Sequence, residues 1–456
     1  MLRFFRINDP YRLVFIFLIL IAIRITQEFF IPATSYYELK WLLLGEWLGK
    51  GYTMYDQTYD YTGPLAAMIY KGINLMFGRS TLAIQILSSL LIIVQAGIFN
   101  ALLLKNKVYD ENSYLPAFLY VIVAGSVPDF MALSPQLMSL TFILFVFRNV
   151  IRRIDNQVTD ELFISSGIFI GIASMIYLPA AIFFFVFLFS LILFSTAIPR
   201  RLGLYFYGFI LIIGLCGFYY YLKGSQYQFL ERAISQGFSL EPRIKLTYMQ
   251  LLNLAAPFVA ILLLSYIKKS SSGRRNNFQQ KVEQVIWIMF LGSLSTFLFS
   301  NEKSGHELLF LVPVIAYFWT HFFILLKKRV FVLIMPGLLV FGLLTFSGYA
   351  YQNLTQPILI EERKGIGEIM VLGEELEVYL DMSVSTPCFN STISGDMIEE
   401  INTYEGADNF HDIFQKTEPT YIKDQMGIMP QLMSRFPYLE KSYQKTGSNM
   451  YQKISN

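Results

Sequence analysis

The sequence predicts an α-helical polytopic membrane protein: about eleven transmembrane helices, interfacial helices in the first outer loop, and a small C-terminal α/β outer domain. Three observations carry this. Only 15% of the 456 residues are charged and 54% are hydrophobic, whereas soluble domains carry about 25% charge. Apolar windows of roughly 20 residues, the length that crosses a hydrocarbon core, recur along most of the chain. Basic residues cluster after alternate windows, the asymmetry that cytoplasmic loops show.

The first window, 13–31, follows Arg3, Arg6 and Arg12. It is too long for a signal-peptide core, holds Arg24, Gln27 and Glu28, and lacks a small-residue cleavage site, so it reads as a retained anchor. Arg24 and Glu28 share a helix face and are expected to pair within the protein, because a charge facing lipid is costly. Further spans are expected at 81–104, 113–128, 134–150, 162–178, 179–198, 203–222, 251–267, 283–300, 307–326 and 330–349. Lys105 and Lys107 close the second span, Arg148, Arg152 and Arg153 the fourth, Arg200 and Arg201 the sixth. "IKKSSSGRRNNFQQK" closes the eighth, and Lys327, Lys328 and Arg329 the tenth. Alternation brings all these clusters to one side, so the N-terminus is expected in the cytoplasm and residues 351–456 outside it, with a bacterial inner membrane the natural setting.

From Tyr351 onward the chain holds 16 acidic and 8 basic residues against a net charge of +3 overall, so residues 1–350 are basic and the tail acidic. In the tail, "IGEIMVLG", "PTYIKD" and "NMYQKI" read as strands. "EELEVYLDM", "GDMIEEINTYEGADNFHDIFQK" and "MPQLMSRFPYLEKSY" read as helices. Alternating elements favour a layered sheet. "VLGEE" has one glycine where a dinucleotide loop needs three, so no nucleotide cofactor is expected there. Cys216 and Cys388 lie in unlike surroundings and predict no disulfide; the three histidines, His306, His321 and His411, are scattered. No nucleic-acid partner is expected.

The stretch between the first two spans is unusual. "ELKWLLLGEWLGK" reads as a helix in the membrane interface, with Trp41 and Trp47 at headgroup depth and its charges in water. "YDQTYDYTGPL" then crosses back, and "LAAMIYKGINLMF" is a second amphipathic run. Glu38 thus falls just past the first span.

This layout resembles the first outer loop of the C-type (GT-C) glycosyltransferases, the superfamily that includes protein O-mannosyltransferases and lipid A aminoarabinose transferases. The resemblance rests on an acid after the first span, a helix ending in "GxxY", then "YxxxGPL…FGRS". It continues in "SNEKSGHELLFLVPVIAYF" late in the bundle and in the small outer domain, and so covers nearly the whole chain. It implies transfer of a sugar from a polyprenyl-phosphate donor to an acceptor hydroxyl, on a lipid, glycan or protein, at the outer membrane–water interface. In that family an acid of the first outer loop acts as general base or orients the acceptor, and Glu38 holds that position here. A positioned carboxylate that takes a hydroxyl proton contributes roughly 10²–10⁴-fold, and a departing phosphate needs cationic donors. Lys303 and His306 match the family's basic positions, and Arg243 lies in an outer loop able to fold over a site. Tyr52, Tyr55, Tyr59 and Tyr61 are candidates for stacking on sugars. The family's paired acids are Tyr37 and Glu38 here, and the second outer loop offers Asp129 as the other candidate catalytic acid, with Gln136 further along the same loop. A divalent metal between Glu38 and Asp129 stays open.

Two other classes compete with the enzyme. A catalytically inactive GT-C-like subunit would use the same fold as a scaffold for envelope protein partners. A transporter would show inverted repeats and helices broken at mid-membrane, and the sequence shows no repeat.

Overall fold

The computed structural model describes residues 2–30, 36–155, 159–194, 199–238, 243–244, 276–325, 368–373, 383–386, 403–447 and 449–454, with Tyr379 and a few positions between 256 and 265. Helices follow the apolar windows: α1 (Arg12–Phe30), α2 (Tyr36–Gly49), α3 (Pro64–Phe77), α4 (Thr81–Lys105), α5 (Leu115–Gly125) and α6 (Pro135–Ile154). They continue as α7 (Asp160–Ile176), α8 (Ile182–Phe194), α9 (Pro199–Leu222), α10 (Asn277–Phe299) and α11 (Val312–Leu325). The expected span at 330–349 lies outside the described residues, as does most of that at 251–267. Among the described residues four helical stretches are long and apolar enough to cross a membrane alone: Thr81–Lys105, Pro199–Leu222, Asn277–Phe299 and Gly305–Leu325.

Local chemistry sets the helix ends. Ser80 and Ser134 accept from the amides of Ala83 and Leu137 and so cap α4 and α6, the latter with Pro135 in its first turn. The break expected near Pro179 is present: Tyr177 is extended, and a 3-10 turn over Leu178–Ala181 leads into α8. Helices α7 and α9 pack backbone to backbone. An added Cβ on Gly167 would meet the carbonyl of Tyr205, and one on Gly208 the carbonyl of Ile164, so only glycine lets the two backbones touch.

Residues 368–453 supply a five-stranded sheet in the order β4 (Ser383–Val384), β3 (Glu368–Leu372), β5 (Tyr421–Asp424), β7 (Met450–Lys453), β6 (Tyr443–Lys445). β3 pairs in parallel with β4 and β5, and the remaining pairs are antiparallel. Side chains alternate across β3. Ile369 and Val371 join a core with α2 and α3, whereas Met370 and Leu372 face a second core with α12 (Tyr404–Thr417), α13 (Met429–Arg435) and α14 (Pro437–Ser442). The helix expected over "MPQLMSRFPYLEKSY" is two helices, because Pro437 lacks an amide donor and disfavours helical geometry at Phe436. The helix expected at "EELEVYLDM" lies, Tyr379 apart, outside the described residues.

The sheet is pinned to the helices by polar contacts as well. Lys50 Nζ reaches Glu368 Oε1 at 2.9 Å and the carbonyl of Val384 at 2.7 Å. Glu46 pairs with Arg79, which also donates to the carbonyl of Tyr379.

Trp41 and Trp47 differ from the sequence reading. They are 4% and 2% exposed, and Lys40 is 2% exposed, so all three pack inside the protein instead of facing headgroups and water. Trp47 stacks on Tyr52 at 3.8 Å and donates from Nε1 to the carbonyl of Gln57. α2 is covered on most sides by α3, the tyrosine loop and the sheet.

Candidate functional site

A partly enclosed pocket forms where several elements end on one face of the bundle: the start of α2, the loop at 61–63, the start of α6, the 177–179 turn, Gly237 and the segment 301–307. Helical spacing brings Tyr37, Lys40 and Trp41 to a common face of α2, and all three line the pocket. Trp41 is held by stacking on Tyr70, whose hydroxyl donates to the carbonyl of Leu133 at 2.7 Å. The buried Lys40 ammonium lies 5.5 Å from the centre of the Tyr37 ring and 5.1 Å from that of Tyr61, cation–π distances. Gly63 seats the loop, since an added Cβ there would meet the carbonyls of Met175 and Ile176.

The segment after α10 supplies the other polar groups. His306 is 1% exposed, with Nδ1 at 2.7 Å from the backbone carbonyl of Asp129 and its ring edged by Tyr37 and Trp41. Glu307 is also buried. One of its oxygens accepts from Gln136 Nε2 at 2.8 Å and the other from the Tyr177 hydroxyl. Glu307 is the acid among the described lining residues, and the sequence reading passed over it for its neighbours Lys303 and His306. The available signal was an ionisable side chain opening a membrane-spanning stretch.

The residues singled out from sequence separate in space. His306 and Asp129 come together, with His306 Nε2 3.8 Å from Asp129 Oδ1. Tyr61 lines the pocket. Glu38 is half-buried on α2 but is absent from the pocket lining; its charge is felt by Arg24 and Tyr70. Arg24 also donates to Ser88 Oγ at 2.8 Å and to the carbonyl of Met131 at 2.6 Å, tying α1 to α4 and the 128–131 turn. Lys303 turns its ammonium to the carbonyls of Phe297, Leu298 and Ser300, capping α10, and burial pushes its pKa down while Glu307 opposes the shift. Arg243 is in the two-residue strand β1 (Arg243–Ile244), which pairs in parallel with β2 (Glu302–Lys303) and so joins its loop to the pocket segment. Tyr55 is fully buried with φ 69°; its hydroxyl donates to the carbonyl of Thr62 at 2.6 Å and Arg232 donates to its own carbonyl. Tyr59 lies under the Arg232 guanidinium at 4.0 Å and touches the sheet's second core. Among the described residues no group of three or more His, Cys, Asp or Glu side chains is arranged to hold a metal ion.

The whole architecture has known counterparts. The chain is similar to ArnT from Cupriavidus metallidurans, in a crystal structure bound to undecaprenyl phosphate: TM-score 0.59, 9% identity, covering 98% of this chain and 99% of that one. The fold is GT-C. A second GT-C likeness is to the oligosaccharyltransferase of Archaeoglobus fulgidus in its apo form, with TM-score 0.50, 9% identity and coverage of 98% of this chain and 75% of that one. No family model matches the sequence, and no curated protein matches it. At such identities the GT-C likeness speaks for fold alone, and function has to be argued from the pocket's residues.

Proposed function

We propose that this integral membrane protein is a glycosyltransferase that moves a sugar from a polyprenyl-phosphate donor to an acceptor hydroxyl in the pocket beneath Tyr37, Lys40 and Trp41. The observation that carries the reading is the pocket's mixed chemistry: a buried lysine over two tyrosine rings and a buried carboxylate with a histidine, all where the helices end. A lysine there suits charge that develops on a departing phosphate, and tyrosine faces suit sugar rings. The GT-C fold, known with undecaprenyl phosphate bound in ArnT, supports it. The basic clusters support a cytoplasmic N-terminus, so the pocket and the acidic domain of residues 351–456 face outward.

Glu38 enters this scheme as the first-loop acid. Of the two roles such an acid can take, orientation suits it here, since it stands one residue from Tyr37 and within electrostatic reach of Arg24 without lining the pocket. The test is transfer of labelled sugar from undecaprenyl-phosphate hexoses by the purified protein, with a membrane lipid and glycan extract as acceptor. Glu38→Gln is expected to lower turnover by ~10²-fold, the loss that a misplacement of about 1 Å brings, while expression and membrane insertion stay normal. Unchanged turnover would remove Glu38 from the mechanism.

One observation favours a second reading, a non-catalytic subunit of an envelope assembly: the pocket carboxylate, Glu307, already accepts two hydrogen bonds. Stable co-purification with protein partners, together with wild-type behaviour of Glu38→Gln and Asp129→Asn, would favour it.

A further inference from the structure

Gln136 Oε1 and His306 Nε2, like Asn301 Oδ1, are buried polar atoms of pocket-lining residues with no hydrogen-bond partner among the described residues. The chemical sense of the first two is fixed by what the other end of each side chain does. Gln136 turns Nε2 to Glu307, and a carboxylate accepts, so the amide nitrogen faces Glu307 and Oε1 faces away. His306 Nδ1 faces the backbone carbonyl of Asp129, which can only accept, so in the neutral ring the proton is on Nδ1 and Nε2 is an acceptor. At 3.8 Å, Asp129 Oδ1 is too far from Nε2 for a hydrogen bond. Gln136 is 6% and His306 1% exposed, and both line the pocket beside the Glu307 carboxylate. One wall therefore presents acceptors and a negative charge. A phosphate there would meet lone pairs with lone pairs; a ligand rich in O–H donors would satisfy groups that are costly to leave buried and unpaired.

We propose that Gln136 Oε1 and His306 Nε2 form a subsite for the hydroxyls of a sugar ring, with Glu307 fixing Gln136 and Asp129 fixing the histidine tautomer. The assignment rests on the transferase reading above and moves His306 from phosphate contact to sugar contact. Lys40, on α2, is left to the phosphate side. The hydroxyls can come from the donor's sugar or from a glycan acceptor.

The experiment measures binding by the full-length protein in nanodiscs to bare undecaprenyl phosphate, to undecaprenyl-phosphate glucose, mannose and galactose, and to the corresponding methyl hexosides. At least one hexose lipid is expected to bind at least about tenfold more tightly than the bare lipid, worth one or more net hydrogen bonds. Gln136→Met and His306→Phe are each expected to bring that ratio close to one. A methyl hexoside that binds in a Gln136-dependent way, with the lipid ratio already near one in the unmodified protein, also upholds the subsite and assigns its sugar to the acceptor. The proposal is overturned if no sugar gains affinity in the unmodified protein, a comparison that needs no variant to fold. It is also overturned if Gln136→Met weakens bare lipid as much as hexose lipid, since the wall would then hold phosphate. Should neither lipid bind at all, the lipid-linked reading fails separately; the subsite then stands if a methyl hexoside binds in a Gln136-dependent way and falls if none does.

Discussion

Lys303 allows structural capping to be separated from ligand binding. Its ammonium donates to the carbonyls of Phe297, Leu298 and Ser300, the last two at 2.8 and 2.9 Å, at the end of α10. A cation at a helix C-terminus contributes up to about 2 kcal/mol in a partly buried geometry, and a buried carbonyl stripped of its donor costs about 1–3 kcal/mol. Desolvation acts in the opposite sense, as the lowered ammonium pKa records. With one carbonyl left unsatisfied and the others rehydrated, Lys303→Met should cost ~2 kcal/mol, or about thirtyfold in the folded-to-unfolded ratio. The assay is unfolding of the purified protein in detergent followed by tryptophan fluorescence, beside undecaprenyl phosphate binding at a temperature where both forms are folded. Lower stability with intact lipid binding is expected. Unchanged unfolding with lost lipid binding would refute the capping argument and return Lys303 to the phosphate.

Three further outcomes follow from the packing and the charges. Gly208→Leu should destabilise the bundle by at least ~3 kcal/mol, the upper end of ordinary overpacking, because the new side chain meets backbone at Ile164; normal expression and unfolding would show that the pair can spread. Glu46→Gln removes the Glu46–Arg79 ion pair at a partly buried junction. It should loosen β3 and β4 by about 1–3 kcal/mol, between the values for exposed and buried pairs, read as faster amide exchange at Val384, and unaltered exchange would deny the junction that role. The Glu418 carboxylate is held below its usual 4.5 by the Lys453 ammonium. Its stabilising contribution is therefore complete above 4.5 and lost as pH falls through the lowered value; Lys453→Met should move the Glu418 titration, followed by NMR, back toward 4.5.

Helix positions were legible because a run of about 20 apolar residues has few alternatives. Thus α4, α7 and α9 begin and end close to where the residue pattern puts them. The surroundings of α2 were not legible. Lys40 and Glu46 in the sequence suggest a water-facing side, but the sheet formed some three hundred residues later covers that helix, and contacts so distant leave no local pattern. β4 and β6, two and three residues long, are too short for alternation to announce them. Within the site, sequence distance misled in both directions. Lys303 and His306 are three residues apart, yet one turns back to cap its own helix and the other enters the pocket. Gln136 and Glu307 are 171 residues apart and share a hydrogen bond. Of the four tyrosines set out for sugar stacking, Tyr61 reaches the pocket, while the Tyr55 hydroxyl is committed to holding its own loop together.

The fit of Gly63 against the end of α7 makes that residue a spacer gauge for the whole cavity. Met175 and Ile176 present carbonyls where its side chain would be, so even a methyl group would push the tyrosine loop outward by the width of that contact. Tyr61 and Thr62 would move with it, and Lys40 would lose an aromatic neighbour. On the transferase reading, a change at a position with no chemistry of its own would thereby alter which ring sizes the cavity admits, and substrate range would drift through the backbone without any substitution among the groups that touch the ligand.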